Sequence, residues 1–386
     1  MTKIGIFGGT FNPPHKGHVE SALSAVNRLN LDSLLVMPAA FPPHKLLPHN
    51  TPDADTRLKM TRLAFENEAR ITVSDHEIKN NKVCYTVDTV AEVKKNNPDA
   101  HIFLLVGTDM YLSLEEWKNC SELLKQVTPV VFSRSEGEKQ KITEYSAVLK
   151  KLYNVNTEII DNRVIDISSS ELRELLPQRK GAEYLAKNVY SCIIRSRTYD
   201  AKPCWDFLRE IAYSMLDEKR IPHVIGCESE AVRLAKNWGV DEDEAREAAI
   251  LHDITKKLSA DEHYKILSSH NILVERPSRE EEKLLHAKTA AVLALAEFGS
   301  SNAVYNAILW HTTGKVGMED LDKIIYLADY IEPNRDFEGV DELRRLSYEN
   351  LNEAMKMGLQ MAVADLEERG IIPNNITYEA LESFTR

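Results

Sequence analysis

No two cysteines in this 386-residue sequence stand at C-x-x-C spacing; the five present, Cys84, Cys120, Cys192, Cys204 and Cys227, are scattered. Nothing at the start reads as a signal peptide, so the cysteines are expected to be reduced thiols in a cytoplasmic protein. No apolar run approaches the length of a membrane-spanning helix. Basic residues are in deficit, and the net charge of −12 argues against general nucleic-acid binding, though not against a local basic pocket for a small anion. Internal repeats and low-complexity segments are lacking too. The apolar content is ordinary, and the length suits two domains, each with its own core.

The first part alternates strand and helix patterns, which predicts an α/β, Rossmann-like domain with a parallel sheet over 1–196. Strands are expected at Lys3–Phe7, Ser33–Met37, Ile71–Val73, Ile102–Val106, Pro129–Phe132 and Glu158–Ile160. Helices are expected at Val19–Leu29, Asp53–Phe65, Thr86–Lys95, Ser169–Leu176 and Ala182–Ile194. A short polar stretch ending in proline, 197–203, reads as a linker. Over 204–386 the alternation stops. Trp205–Leu216, Val224–Trp238, Glu242–Leu251, Glu280–Phe298, Ala303–His311, Glu319–Ile331 and Leu343–Arg369 all carry helical patterns, which predicts an all-α bundle.

The densest motif is Gly8-Gly9-Thr10-Phe11-Asn12-Pro13-Pro14-His15-Lys16-Gly17-His18, between the first strand and the first helix. A strand, a glycine-rich turn and a helix start present backbone N–H groups and a positive helix end to phosphate. His15 and His18 share one helix face and can donate hydrogen bonds to phosphates. Two further segments offer anion ligands. Pro42-Pro43-His44-Lys45 is cationic. In Ile167-Ser168-Ser169-Ser170-Glu171-Leu172-Arg173 the serines cap a helix and Arg173 returns one turn later. The chemistry this suggests is attack of a phosphate oxygen on the α-phosphorus of ATP, with pyrophosphate leaving.

With YTVDT (Tyr85–Thr89) and VGTDMYLSLEEW (Val106–Trp117) standing in order between these segments, the first half resembles the bacterial nicotinate-nucleotide adenylyltransferases of the HxGH superfamily. The resemblance implies that Gly8, Gly9, Thr10, Phe11, His15, His18, Ser169, Ser170 and Arg173 bind ATP, accompanied by Mg²⁺. His15, His18, Lys45 and Arg173 would serve its phosphates, and Thr86, Asp109, Tyr111, Trp117 and Arg134 would lie near nicotinate mononucleotide. Blander readings stand beside these: Lys45 as a loop charge, Thr86 as a helix cap, Trp117 as core, Arg134 as surface. Pantetheine-phosphate and cytidylyl transferases also carry HxGH, but the PPHK and LSLEEW segments argue against them.

In the second half His252-Asp253 ends an apolar helix pattern, and His223, His286, His311 and Asp329 each lie on or beside another predicted helix. Four histidines and two aspartates from several helices fit a metal cluster inside a bundle. Imidazole and carboxylate suit iron, manganese or zinc, and six ligands suit two ions with Asp253 bridging. RIPHVIGC, LHDITK, LLHAKTAA, ILWHTTG and DKIIYLADYIEPNR resemble the HD-domain phosphohydrolases, and among them the YqeK-type symmetrical diadenosine tetraphosphatases. That resemblance implies a centre of two divalent metals, iron or else manganese, held by His223, His252, Asp253, His286, His311 and Asp329, with hydrolysis of Ap4A to two ADP. Asp253 and Lys256 would be catalytic, and Lys257 and Arg335 are further phosphate candidates. His263 and His270 read as ordinary histidines, and Met355, Met357 and Met361 as core or as an interface for a homo-oligomer. The partners expected are therefore ATP, nicotinate mononucleotide and Ap4A, with no nucleic acid and no membrane. Other nucleotide phosphohydrolases, or a nucleotide-sensing regulatory module, are the alternatives for this half.

Overall fold

The computed structural model describes residues 1–42, 46–80, 82–133, 136–161, 165, 167–273 and 282–385, and the chain divides into two compact units, 1–202 and 203–386. Among the described residues no helix is long and apolar enough to cross a membrane.

The first unit is a six-stranded parallel sheet with helices on both faces. In chain order it comprises β1 (Lys3–Gly9), α1 (Lys16–Arg28), β2 (Ser33–Pro38), α2 (Ala54–Phe65), β3 (Ile71–Val73), α3 (His76–Asn80), α4 (Thr86–Asn96), β4 (His101–Val106), α5 (Thr108–Leu112), α6 (Cys120–Leu124), β5 (Val127–Ser133), α7 (Glu136–Tyr153), β6 (Glu158–Asp161), α8 (Ser169–Leu175) and α9 (Lys187–Arg195). Strand order is β3-β2-β1-β4-β5-β6, with Ile4 in register with Ser33 on one side and Ile102 on the other. Burial of both faces explains the almost unbroken apolar strands. Ile4, Ile6, Ile102, Leu104 and Val106 pack with Val87 and Val90 of α4. Phe7, Phe103 and Leu105 pack with Ala22, Ala25 and Val26 of α1. The crossover between β1 and β4 opens a crevice at their carboxyl ends, the place where such sheets bind ligands.

All six expected strands are present. The helix expected over Ala182–Ile194 is interrupted: a short 3-10 turn covers Ala182–Tyr184, Leu185 and Ala186 are extended, and α9 follows. The stretch 197–203 is not a free polar tether. Tyr199 is only 1% exposed, and its hydroxyl donates to Asn12 Oδ1 at 2.8 Å.

The second unit is entirely helical where described: α10 (Trp205–Met215), α11 (Ile221–Trp238), α12 (Glu242–Leu251), α13 (Ala260–Ser269), α14 (Leu285–Phe298), α15 (Asn302–Trp310), α16 (Asp320–Ile331), α17 (Val340–Glu349), α18 (Leu351–Glu368) and α19 (Asn375–Ser383). Helix α11 packs against α12 and α16, and α15 against α14 and α16. Buried Ala245, Ala248 and Ala249 on α12 let backbones approach closely. Two expected helices are corrected. Leu343–Arg369 is two helices, because Asn350 turns extended (φ −152°) and its side chain caps α18 by accepting from Asn352 N and Glu353 N. Of Glu280–Phe298, the described helix is α14; residues 280 and 281 lie outside the described residues.

Candidate functional sites

Two cavities meet over the crossover of the first unit. One, ≈ 310 Å³, is lined by Gly8, Gly9, Thr10, Phe11, His15, His18, Ser169, Ser170 and Arg173, which are the described residues expected around ATP. The other, ≈ 360 Å³, is lined by Thr86 and Trp117, with Glu77, Cys84, Thr89 and Met110. Gly8, Gly9, Thr10 and Gly107 line both. A Cβ built on Gly8 or on Gly107 meets no protein atom within 4 Å, so a side chain there would project into open space rather than into the core.

The loop between β1 and α1 is held by specific bonds. His15 N–H donates to His18 Nδ1 at 3.2 Å, which leaves Nε2 as the protonated donor of a neutral His18 ring. The two rings lie 3.7 Å apart, centroid to centroid, and Phe11 meets His18 edge-on at 5.1 Å. Helix α8 docks on the same loop. Ser169 Oγ donates to Pro13 O at 2.8 Å, and Arg173 Nη1 donates to Asn12 O at 2.6 Å. Arg173 Nη2 donates to Ser170 Oγ at 2.9 Å. Ser168 and Glu171 form a capping box that fixes the start of α8.

Arg57, which carried no signal in the sequence, lies beneath this arrangement. It is 1% exposed and donates to the carbonyls of Thr10, Ala39, Ala40 and Pro52, tying the turn after β1 to the turn after β2. Burial lowers its pKa, while Tyr199 and Asp53 act in the opposite sense. In the second cavity burial raises the Glu77 carboxyl to about 7 against a hydrogen bond from Thr89 Oγ1 at 3.3 Å.

Not every residue expected near the mononucleotide lines that cavity. Tyr111 is fully buried in the core, where its hydroxyl pairs with Thr157 Oγ1 at 2.7 Å and its ring meets Tyr145 edge-on. Asp109 is exposed on the first turn of α5 and lines neither cavity. Lys45 and Arg134 lie outside the described residues.

In the second unit the six expected metal ligands converge. His286 Nε2 lies 3.3 Å, and His311 Nε2 3.7 Å, from Asp253 Oδ1. His252 Nε2 lies 3.5 Å from Asp253 Oδ2, and His223 Nε2 lies 3.0 Å from Asp329 Oδ1. The two oxygens of Asp253 thus face different sets of imidazoles. Each histidine is aimed through its other nitrogen. Nδ1 donates to the carbonyl three residues back in His252 (Ala249, 2.8 Å), His286 (Lys283, 2.6 Å) and His311 (Ile308, 2.6 Å), and to Glu332 Oε1 in His223 (3.2 Å). That geometry fixes the tautomer and turns Nε2 inward, as metal-binding histidines require.

The cluster fits divalent cations. His252 Nε2 and Asp253 Oδ1 are buried and make no hydrogen bond. His286 Nε2 and His311 Nε2 stand 3.3 Å apart with both Nδ1 protons committed elsewhere, so both rings turn an acceptor lone pair towards the cluster, that of His286 also accepting from Lys256 Nζ at 2.9 Å. Burial lowers His252 and His286 to about 4, so the proton is a poor choice of cation. Burial opposes ionisation of Asp253 and Asp329, yet the groups around them, Lys256 among those of Asp253, hold both carboxyls well below the usual range.

Basic side chains surround the carboxylates. Arg220 Nε donates to Asp253 Oδ2 at 2.7 Å, and Arg335 Nη2 to Asp329 Oδ1 at 3.0 Å. Lys256 Nζ lies 2.9 Å from His286 Nε2, whereas exposed Lys257 has no such contact among the described residues. Arg220 and Glu332 were not foreseen. Both sit within the RIPHVIGC and DKIIYLADYIEPNR segments already singled out, and Arg220 precedes His223 by less than one helical turn. Glu332 reaches His223 because Gly226 has no side chain: a Cβ there would stand 2.2 Å from Glu332 Oε2. Cys227 Sγ also comes within 3.4 Å of His223 Nε2.

Residues 6–175 match the cytidylyltransferase-like family, and residues 220–334 match the HD domain. Among relatives, a protein of Clostridium novyi (strain NT) described as a probable nicotinate-nucleotide adenylyltransferase is 35% identical over 194 residues, 50% of this chain and 96% of that protein. One of the same description from Clostridium botulinum (strain Okra / Type B1) is 35% identical over 203 residues, 52% of this chain and 100% of its own length. A solved structure described as a "predicted HD superfamily hydrolase involved in NAD metabolism", from Clostridium acetobutylicum, is 35% identical and covers 48% of this chain and 98% of its own, with a TM-score of 0.46.

Proposed function

We infer, for a chain that belongs through its first half to the nicotinate-nucleotide adenylyltransferase family, that the first unit transfers the adenylyl group of ATP to nicotinate mononucleotide. An oxygen of the mononucleotide phosphate bonds to the α-phosphorus, the bond from that phosphorus to the bridging oxygen breaks, and pyrophosphate leaves with Mg²⁺. The observation that carries this is the pair of cavities that share Gly8, Gly9, Thr10 and Gly107 in their linings. One holds the donors His18 and Arg173, suited to phosphates; the other holds Trp117, suited to a flat ring. Donors fixed before substrate arrives stabilise the spreading negative charge without reorganising. Deamido-NAD and pyrophosphate should both appear when purified protein meets ATP and nicotinate mononucleotide, with less product from nicotinamide mononucleotide. Failure to release pyrophosphate from either mononucleotide overturns the assignment.

For the second unit we propose a metal-dependent phosphohydrolase that splits Ap4A into two ADP. The convergence of four imidazoles on the two carboxylates carries this reading. His223, His252 and Asp329 would hold one ion, His286 and His311 the other, with Asp253 between them, and the ions would supply Lewis acidity and a nucleophile active at neutral pH. The chain's own cations have a separate task. Lys256, Arg220 and Arg335 border the cluster and would hold the phosphates of a polyanionic substrate in place. Protein loaded anaerobically with Fe²⁺ or Mn²⁺ should convert Ap4A to ADP alone. Turnover of a different nucleotide with none of Ap4A would replace the substrate assignment. A cytoplasmic setting, where both nucleotides are available, fits both activities.

A further inference from the structure

Asn12 is a junction in the loop between β1 and α1. Its carbonyl accepts from Arg173 Nη1 at 2.6 Å, its Nδ2 donates to Thr51 Oγ1 at 3.0 Å, and its Oδ1 accepts from the Tyr199 hydroxyl at 2.8 Å. Thr51 N in turn donates to Pro48 O at 3.0 Å, and Leu47 and Pro48 line the first cavity. One buried residue thus joins the loop to the phosphate donor Arg173 and to a separate part of the cavity wall.

Tyr199 reaches this junction from a strained turn. Arg197, Tyr199 and Asp200 have φ of 52°, 62° and 52°, a region that residues with side chains rarely adopt. Such conformations persist where the surrounding contacts outweigh their cost. Here Lys202 N donates to Leu176 O, just past the end of α8, at 3.1 Å, while the Tyr199 hydroxyl holds Asn12. Burial raises the pKa of that hydroxyl, with Arg57 and Arg173 acting in the opposite sense, so it stays protonated and donates. A phenyl ring alone would fill the same space in the core; the oxygen adds the bond to the loop.

We propose that Tyr199 is a positioning residue for adenylyl transfer: its hydroxyl fixes Asn12, and through Asn12 the Arg173 donor, where the phosphates of ATP bind. The proposal rests on the reading of the first cavity as the ATP site. Without the hydroxyl, Oδ1 becomes a buried acceptor that has lost a donor, and the amide must turn or shift to recover one. A shift of residue 12 moves the carbonyl that aims Arg173, and beside it the Pro13 carbonyl that holds Ser169. The short stretch before the second unit is therefore a working part of the first site.

The full-length protein tests this with α,β-methylene-ATP, whose carbon bridge replaces the bond to be broken, and with steady-state kinetics. Tyr199→Phe keeps the ring and removes only the oxygen. It should weaken calorimetric binding of the analogue roughly tenfold and raise KM for ATP by about the same factor, with KM for nicotinate mononucleotide changed less than about twofold. Thr51→Val, which takes away the other side-chain partner of Asn12, should act in the same direction and more weakly. In an Asn12→Ala background, Tyr199→Phe should add less than about twofold, because its route to Arg173 is already cut. A lowered melting temperature with analogue affinity and both KM values intact would make Tyr199 merely structural and overturn the proposal. Equal losses of affinity for both substrates would do the same. If the wild type binds the analogue yet releases no pyrophosphate with the mononucleotide, the reaction assignment falls while the binding difference still decides the role of Tyr199. A wild type that binds no analogue overturns both.

Discussion

The two units solve the handling of phosphates in opposite ways. In the first, the anion site is an open cavity whose walls are backbone, glycine and a few donors from one loop and one helix start. In the second, six ionisable side chains from three helices and from just past the ends of two more meet in a buried cluster, each imidazole braced by a second hydrogen bond. An open cavity can be built by a short continuous segment, because strand, turn and helix are sequential. A buried cluster needs helices brought together by packing, and its cost in unpaired polar atoms implies cations that complete it.

The sharpest test of that contrast is Asp253→Asn. One carboxylate faces both sets of imidazoles, so hydrolysis should fall by roughly a thousandfold or more with bound metal lost, read by metal analysis beside the Ap4A assay. Adenylyl transfer should stay within about twofold; a parallel collapse would break the comparison. Next comes His18→Ala, expected to slow adenylyl transfer by roughly 10²–10³ through loss of a fixed donor, with hydrolysis unchanged.

Glu332→Gln tests the bracing of His223. The amide keeps the shape but gives up the charged acceptor, and metal affinity should weaken by roughly 10–100-fold in a competition titration. Gly107→Ala is the corresponding change in the open cavity. The methyl group meets no protein atom within 4 Å, so the melting temperature should hold while KM rises by roughly tenfold for one or both substrates.

Glu77→Gln should have the smallest effect. Burial raises the Glu77 carboxyl from 4.5 to about 7, so the folded state holds the proton more tightly than the unfolded chain. Its stabilising contribution is complete below pH 4.5 and is lost as pH rises through 7. The wild type should therefore lose melting temperature relative to the variant between pH 4.5 and 8. A difference that does not change with pH would show that Glu77 ionises normally.

What the sequence revealed follows the same division. The strand positions were readable because burial on both faces makes each strand almost uniformly apolar. The residues lining the first cavity were readable as a group because Gly8 to His18 is one continuous motif. The place of Tyr111 was not legible because a helical position does not say which way its ring turns, and here it turns into the core. Arg57 was invisible because its partners are four backbone carbonyls, which leave no trace in side-chain patterns. Among the helices, Leu343–Arg369 looked continuous because the apolar spacing runs on across Asn350, although an asparagine cap was written there. The cluster histidines were legible as types and spacings. Their bracing by Glu332, the approach of Arg220 and the nearness of Cys227 emerge only once α11 packs on α12 and α16.

The glycine floor shared by the two front cavities has a consequence for ligand design. A molecule spanning both, such as an adenosine tethered to a pyridine through a phosphate-like linker, would cross the residues that both cavities share. Its second half would arrive already tethered, at a high effective concentration. Such a chimera should bind far more tightly than either fragment alone, and shortening its tether until it no longer reaches across Gly8 and Gly107 should abolish the advantage.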